Sequence, residues 1–153
     1  MIAKLAVVSS SPLFDMLSNK ELEEVASVSE PLIFGAGQVV FEEGELGDSL
    51  YVIISGDVEV VQRIGTRAQV IAELSPPEFF GEMSLIDKES RSATVRAKTD
   101  AELLKISSED LTGFRQQNPA GFTMNVLNIA RVLSARLRIA NQRIGPLPGK
   151  GAL

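Results

Sequence analysis

The chain of 153 residues contains neither cysteine nor histidine. Without cysteine, it has no disulfide, no thiolate metal site, no iron–sulfur cluster and no cysteine nucleophile. Without histidine, it lacks the base of a Ser–His–Asp triad, a common ligand of zinc and iron, and the usual general base near neutral pH. These two absences favour a non-catalytic binding protein over an enzyme, with no metal and no cofactor.

Long apolar segments are missing as well. No apolar run reaches the ~18 residues that indicate a membrane-spanning helix. The apolar start of the chain, residues 1–8, is too short for a signal peptide. With 44% apolar and 23% charged residues, the composition is typical of a globular domain. We therefore expect a single domain over residues 1–153, without a membrane span and located in the cytoplasm.

Charge is distributed unevenly along the chain. All 20 acidic residues lie within residues 1–110, where they outnumber nine basic residues, whereas residues 111–153 hold six basic residues and no acidic one. A basic helix that lies on an acidic body accounts for this pattern. The alternative is a basic tail for an acidic partner, a membrane surface or a nucleic acid. Six basic residues over this length are few for DNA binding.

The first two thirds of the sequence predict a helix followed by short strands. Apolar residues recur at helical spacing over residues 13–28, where Ser18 and Glu21 fit a capping box. Over about residues 32–107, short runs rich in valine and isoleucine alternate with turn residues at intervals of roughly 8–12 residues. This alternation predicts a small β jelly-roll, or double-stranded β-helix barrel.

Helical spacing returns after the last predicted strand. A short helix is expected first, and Asn118 and Pro119 then provide the N-cap and N1 residues of a long helix. The predicted apolar stripe of this long helix consists of Phe122, Val126, Ile129, Leu133, Leu137, Ala140 and Ile144. The expected fold is therefore mostly β, with one N-terminal helix, a short and a long C-terminal helix over about residues 108–144, and a loose tail over residues 145–153.

One stretch carries the chemistry of an anion site. Gly81 lets the backbone approach a ligand closely, and the residues after it can form one helical turn whose first N–H groups are unpaired. Arg91 opens the next strand with a planar fork of donors that matches phosphate oxygens, and Ser92 adds a hydroxyl. The carboxylate of Glu82 would repel a phosphate but can accept from a sugar hydroxyl. The pattern indicates a phosphate joined to a ribose.

At these residues the sequence resembles the cyclic nucleotide-binding domain family, the domain of catabolite activator protein, protein kinase A regulatory subunits and cyclic-nucleotide-gated channels. Residues 79–97, with Phe-Gly-Glu followed by Arg-Ser-Ala-Thr-Val, resemble its phosphate-binding cassette. Residues 44–60 resemble a second family motif, which contains glycine and tyrosine. The resemblance covers about residues 12–144, and Pro76-Pro77 departs from the family pattern outside the ligand shell.

The resemblance implies a role for each residue that matches the cassette. Glu82 would accept from the ribose 2′-hydroxyl, and Arg91 would pair with the phosphate oxygens. The backbone of Gly81 and Met83, together with Ser84, would hold the cyclic phosphate. The full set of implied phosphate and ribose contacts is Phe80, Gly81, Glu82, Met83, Ser84, Arg91, Ser92 and Ala93. The implied contacts to the base are Val60, Ile71, Arg138 and Asn141.

The function implied by this resemblance is that of a stand-alone bacterial sensor. It would bind a 3′,5′-cyclic nucleotide, with cAMP favoured over cGMP, and would signal through its C-terminal helix to an unknown protein effector. The same helix, over residues 120–144, is a candidate homodimer surface. Only nine residues follow Ile144, so no DNA-binding domain is expected.

Two other functions are compatible with the sequence. The first is a protein-interaction module on the same fold that does not respond to nucleotide, which nucleotide titration would separate from a sensor. The second is an enzyme of the cupin type, although those sites use histidine metal ligands and this chain has no histidine. A stoichiometric iron or zinc content would support that second alternative.

Overall fold

The computed structural model describes residues 2–85 and 90–144, without the side chains of residues 2, 3, 84, 85, 143 and 144. The predicted tail at 145–153 lies outside the described residues. The α-helices in the described part are α1 (Ile2–Ser10), α2 (Asn19–Val28), α3 (Ser108–Gln117) and α4 (Pro119–Ile144). Two short 3₁₀ helices cover Pro12–Phe14 and Glu82–Leu85.

Between the helices the chain forms two four-stranded antiparallel sheets, which confirms the predicted mostly-β fold with flanking helices. The strands are β1 (Glu30–Phe34), β2 (Val39–Phe41), β3 (Ser49–Ser55), β4 (Val58–Ile64), β5 (Arg67–Leu74), β6 (Phe79–Phe80), β7 (Thr94–Ala97) and β8 (Ala101–Ser107). The first sheet has the order β1-β8-β3-β6, and the second has the order β2-β7-β4-β5. Because β6 pairs with the middle of β3, the cassette that follows it starts from a well-anchored strand.

The buried side chains form two clusters, one on each side of the first sheet. Strand β3 contributes to both, because alternate residues of a strand face opposite sides. Leu50 and Val52 belong to the cluster beneath the helices, together with Phe14 and Ile129. The cluster between the sheets consists of Tyr51, Ile53, Val58, Leu74, Phe80, Val95 and Leu103. The first sheet therefore connects the C-terminal helices to the interior of the β-roll.

The N-terminal region differs from the predicted single helix over 13–28. Ser18 and Glu21 form the predicted capping box, but the helix begins only there. Residues 13 and 14 belong to a 3₁₀ turn instead, and Met16 adopts a φ of 72° that no continuous helix can accommodate. A further helix, α1, precedes this turn and was not predicted. Weak helical periodicity in a short apolar segment explains why α1 escaped prediction.

Helix α4 has two different faces rather than the single apolar stripe predicted for it. Ile129 is fully buried, but Val126 and Leu137 of the same predicted stripe are 39% and 57% exposed. The buried face includes a polar residue, Asn128, whose Nδ2 donates to the main-chain carbonyls of Leu13 and Asp15. Polar residues that satisfy buried carbonyls interrupt the apolar pattern. The outward face keeps apolar residues of its own.

No helix in the described ranges, 2–85 and 90–144, combines the length and the hydropathy needed to cross a membrane. Helix α4 is long enough at 26 residues, but arginines recur along it. This finding agrees with the expectation from the apolar runs of the sequence.

Candidate functional site: a cavity at the cassette

A cavity of about 290 Å³ opens where the cassette meets the second sheet. Strands β2, β4, β5, β6 and β7 contribute wall residues, and helix α4 contributes one. The lining residues are Phe41, Val60, Leu74, Phe80, Gly81, Glu82, Met83, Ser90, Arg91, Ser92, Ala93, Val95 and Arg136. Charged groups and a run of apolar side chains therefore share one small space.

Gly81 allows the cassette backbone to turn into the cavity. Its φ of 81° lies in the left-handed region, which residues with a Cβ adopt only with strain. A Cβ at this position would also lie 3.0 Å from Nη1 of Arg91 and 3.1 Å from the carbonyl oxygen of Ser49. A larger residue would therefore both strain the turn and displace the arginine.

Arg91 is held in the cavity wall by main-chain oxygens. Its Nη1 donates to the carbonyl of Gly81 at 3.1 Å, and its Nη2 donates to the carbonyl of Ser49 at 2.7 Å. Burial lowers the pKa of the guanidinium from its ordinary value, and Tyr51, Asp48 and nearby glutamates oppose that shift. Because the group has lost part of its hydration, an anion that reaches its remaining N–H groups gains a strong, charge-assisted contact.

Glu82 is the charged residue most deeply buried in this wall, at 4% exposure. Its Oε1 lies 3.2 Å from Nη1 of Arg136, which reaches across from α4. Nη2 of the same arginine donates to the carbonyl of Phe79 at 2.9 Å. A carboxylate has two oxygens and can accept several hydrogen bonds. Glu82 can therefore accept from a ligand hydroxyl while Arg136 stays bound to Oε1.

The rest of the wall is apolar. Val60, Leu74 and Val95 come from neighbouring strands of the second sheet, and the rings of Phe41 and Phe80 also line the cavity. Such a surface suits a flat, weakly hydrated ring better than a second charged group. The cavity therefore has the features of a small-molecule site: the guanidinium of Arg91 for an anionic group, the buried carboxylate of Glu82 for hydroxyls, and an apolar region for a ring.

Most of the site residues predicted from the sequence lie together in this wall. Phe80, Gly81, Glu82, Met83, Arg91, Ser92, Ala93 and Val60 all line the cavity. The side chain of Ser84 lies outside the described residues, although its backbone belongs to the 3₁₀ turn that starts at Glu82. The clustering is geometric, and the contacts of each residue with a ligand stay predictions.

Three of the residues predicted to contact the base do not line the cavity. Ile71 is 41% exposed and lies where the pairing of β4 with β5 shifts register. Arg138 is exposed, and its Nη2 donates to Oγ of Ser134 on the preceding turn of α4. Asn141 is half-buried, one turn further along the helix. The base-contact role of these residues stays a prediction that the wall geometry does not support.

Sequence reasoning missed Arg136 and Phe41. Arg136 lies seven residues after Ile129 and four after Val132, which places it on the buried face of α4. That spacing could have identified it, but the predicted stripe continued through Leu137 instead. Phe41 gave no comparable signal, because an aromatic residue at the end of a short strand is common in cores.

Within residues 2–85 and 90–144, no group of three or more acidic side chains is placed to hold a metal ion. The described lining of the cavity combines the guanidinium of Arg91, the ion pair of Glu82 with Arg136, and an apolar wall. Together with two antiparallel sheets and a long helix that reaches the site, these features match the chemistry of a small organic anion.

Comparison with known proteins identifies the family. The sequence profile described as "Cyclic nucleotide-binding domain" matches residues 31–118, and the chain belongs to this family. The cyclic AMP receptor protein of Thermus thermophilus is 35% identical over 135 residues, which are 88% of this chain and 61% of that protein. A solved cyclic nucleotide-binding domain from Methylobacillus flagellatus is 28% identical, with a TM-score of 0.82, and the match covers 95% of this chain and 85% of that one.

The same kind of domain occurs inside proteins of a different activity. Glutaminase 1 of Bradyrhizobium diazoefficiens is 31% identical over 137 residues, which are 90% of this chain and 22% of that protein. The chain thus spans less than two thirds of the length of either curated relative named here. Family membership describes the domain, and the activity of a whole relative does not carry over with it.

Proposed function

We propose that this protein binds a 3′,5′-cyclic nucleotide, cAMP in preference to cGMP, and acts as a non-catalytic sensor. The observation that carries this proposal is the position of Arg91 and Glu82 in the wall of one cavity whose remaining surface is mainly apolar. A cyclic nucleotide has the matching groups in one molecule: an anionic phosphate, a ribose hydroxyl and a flat base.

Each part of the ligand has a complementary group in the wall. The cyclic phosphate accepts from the N–H groups of Arg91 that face the cavity. The ribose 2′-hydroxyl donates to Glu82, whose Oε1 is already bound by Arg136. The base packs on the apolar wall around Val60 and Leu74. The preference for cAMP is supported by the cyclic AMP receptor relative, although the hydroxyl of Ser92 could also reach a guanine amino group.

Isothermal titration with cAMP, cGMP and 5′-AMP tests the proposed function. The protein is unfolded, freed of nucleotide and refolded before titration. We expect one cyclic nucleotide to bind tightly, with cAMP ahead of cGMP, and 5′-AMP to bind far more weakly because its phosphate is not tied back to the ribose. A folded protein that gives no heat with any of the three would support a nucleotide-insensitive interaction module instead.

Ligand binding is transmitted to α4 through Arg136 in this proposal. Arg136 bonds both the cassette carboxylate and the carbonyl of Phe79, so the helix and the cassette share one ion pair. A ligand that orders Glu82 favours the helix position in which this ion pair forms. The helix shifts only by as much as the ligand prefers that position. An unknown protein effector in the cytoplasm, the predicted location, would contact α4.

Replacing Arg136 by glutamine is expected to weaken cAMP binding about 10- to 100-fold, since a hydrogen bond to a charged group contributes ~1.5–3 kcal/mol. The matched control is Arg138→Gln, which removes an exposed arginine two residues away whose described contact is within α4. The control should bind cAMP like the wild type. Equal losses in both variants would contradict the role of Arg136, and a loss in Arg138→Gln alone would support the predicted contact of Arg138 with the base.

We also propose that the outward face of α4 forms a parallel homodimer with a second copy of the chain. Leu127 and Leu137 on this face are 43% and 57% exposed. The face contains Thr123, Leu127, Ala130, Ser134, Leu137 and Asn141, at alternating spacings of four and three residues. This spacing is the heptad repeat by which two helices pack along one seam. A two-fold axis along the seam lets identical residues meet.

Replacing Leu137 by glutamate should convert the dimer into a monomer, because two carboxylates would face each other across the seam. The control is Ile139→Glu, a similarly exposed apolar residue outside the heptad positions, at 50% exposure. Light scattering after size-exclusion chromatography measures the mass. Wild type and control should have twice the chain mass and Leu137→Glu the chain mass. A wild type with the mass of a single chain would contradict the proposed homodimer.

A further inference from the structure

Two residues outside the cassette, Phe41 and Gly47, lie close to the Arg91 guanidinium. Its Cζ lies 3.9 Å from the centroid of the Phe41 ring, a distance at which the cation sits over the ring face. A Cβ built on Gly47 would lie 2.8 Å from Cζ, 2.9 Å from Nε and 3.0 Å from Nη1. Because these distances are nearly equal, Gly47 also lies over a face of the guanidinium and not at its edge.

The edge of the same group is fixed by hydrogen bonds. The carbonyls of Gly81 and Ser49 accept from Nη1 and Nη2, and those bonds define the direction of the guanidinium plane. The ring of Phe41, which lies 3.9 Å from Cζ, limits tilting of the guanidinium toward that side. The fork of Arg91 is therefore oriented by its surroundings before any anion arrives, which lowers the cost of ordering it on binding.

Phe41 is itself packed against two other aromatic rings. Its ring centroid lies 6.0 Å from that of Tyr51 and 5.8 Å from that of Phe80. Those two rings stack on each other at 5.3 Å. The pairing of β2 with β7 shifts register between Val39 and Phe41, and such irregularities commonly redirect a side chain. Here the Phe41 ring lies against the guanidinium of Arg91, with Cζ over the ring face.

We propose that Phe41 is a positioning residue that holds Arg91 ready for the phosphate, and that Gly47 provides the space that this position requires. The orientation of Arg91 follows from the contacts alone. The effect on nucleotide affinity rests in addition on the proposed function. Two readouts therefore test the two parts separately.

The first readout needs no nucleotide. The Nε–H signal of Arg91 in ¹H–¹⁵N spectra, assigned by its loss in Arg91→Lys, should be shifted upfield by the ring current of Phe41. Phe41→Leu keeps an apolar side chain but removes the ring, so the shift should disappear. Phe41→Tyr keeps the ring, so the shift should remain. An unshifted signal in the wild type, or an unchanged shift in Phe41→Leu, would overturn the proposed stacking.

The second readout is a double-mutant cycle on cAMP affinity. Phe41→Leu should weaken binding about tenfold, which corresponds to a cation–π contact of ~1–2 kcal/mol in a desolvated site. Phe41→Tyr should stay close to the wild type, and Gly47→Ala should weaken binding because its Cβ displaces the guanidinium. In an Arg91→Ala background, Phe41→Leu should have no further effect. An equal tenfold loss in that background would show that Phe41 acts as wall surface and not through Arg91.

If the wild type binds none of the nucleotides, the proposed function fails, and the spectral readout still decides whether Phe41 holds Arg91. If the wild type binds but Phe41→Leu binds equally well, the proposed function stands and the positioning role fails. The outcomes are therefore distinguishable.

Discussion

Arg91→Ala is expected to weaken cAMP binding by about 2–5 kcal/mol, because it leaves a phosphate in a partly buried wall without its cation. In the wild type, two main-chain carbonyls hold the guanidinium in that wall. The lost affinity would be measured by isothermal titration. A thermal melt of the same samples checks that the variant is folded, since it also loses those two hydrogen bonds.

Arg96→Ala is the matched control for this loss. Arg96 is half-exposed like Arg91, but it pairs with a glutamate instead of main-chain carbonyls, since its Nε lies 2.8 Å from Oε1 of Glu59. It follows Arg91 by five residues in the same strand region but does not line the cavity. The control should bind cAMP like the wild type. Unchanged affinity in a folded Arg91→Ala variant would remove Arg91 from the proposed site.

Gly56→Ala is expected to destabilise the fold by about 3–5 kcal/mol, through a steric clash and an unfavourable backbone conformation together. Gly56 joins β3 to β4 with a φ of 77°. A Cβ at this position would meet the carbonyl oxygen of Asp100 at 2.2 Å and Cα of Ala101 at 2.8 Å. Both contacts are with backbone, which cannot move aside without disturbing β8. Urea denaturation, monitored by circular dichroism, measures the decrease in the free energy of unfolding.

Gly65→Ala separates the two causes. Gly65, in the turn between β4 and β5, also has a positive φ, of 65°, but a Cβ added there would have nothing within 4 Å. The free energy of unfolding of the control should therefore fall by only about 1–2 kcal/mol, the conformational cost of a left-handed residue. Similar losses in the two variants would show that the clash at Gly56 is relieved by movement of the chain.

The cassette could be predicted from sequence because its determinants are local. Gly81 and Glu82 are adjacent and Arg91 follows Glu82 by only nine residues, so spacing and residue type were sufficient to place them together. The capping box at Ser18 was predictable for the same reason, since both partners lie within one helical turn. Motifs of this kind do not depend on how distant segments pack.

The contribution of α4 depends on distant packing and was predicted less well. Two faces of this helix carry apolar residues, and a stripe drawn through Ile129 and Leu137 crosses from one face to the other. The rotation of the helix is set by Asn128, which bonds carbonyls more than 100 residues earlier in the chain. The spacing of residues within α4 gives no indication of these carbonyl partners. For this reason Arg136 was overlooked, whereas Arg138 was predicted from the family resemblance and its base contact stays a prediction.

A crystal structure of the protein grown with cAMP tests the central claim most directly. The account predicts the cyclic phosphate on Arg91, the ribose 2′-hydroxyl on Glu82 and the adenine on the apolar wall near Val60, with Arg136 still bound to the carboxylate. Nucleotide bound elsewhere, or a cavity without nucleotide in crystals grown at saturating cAMP, would contradict it.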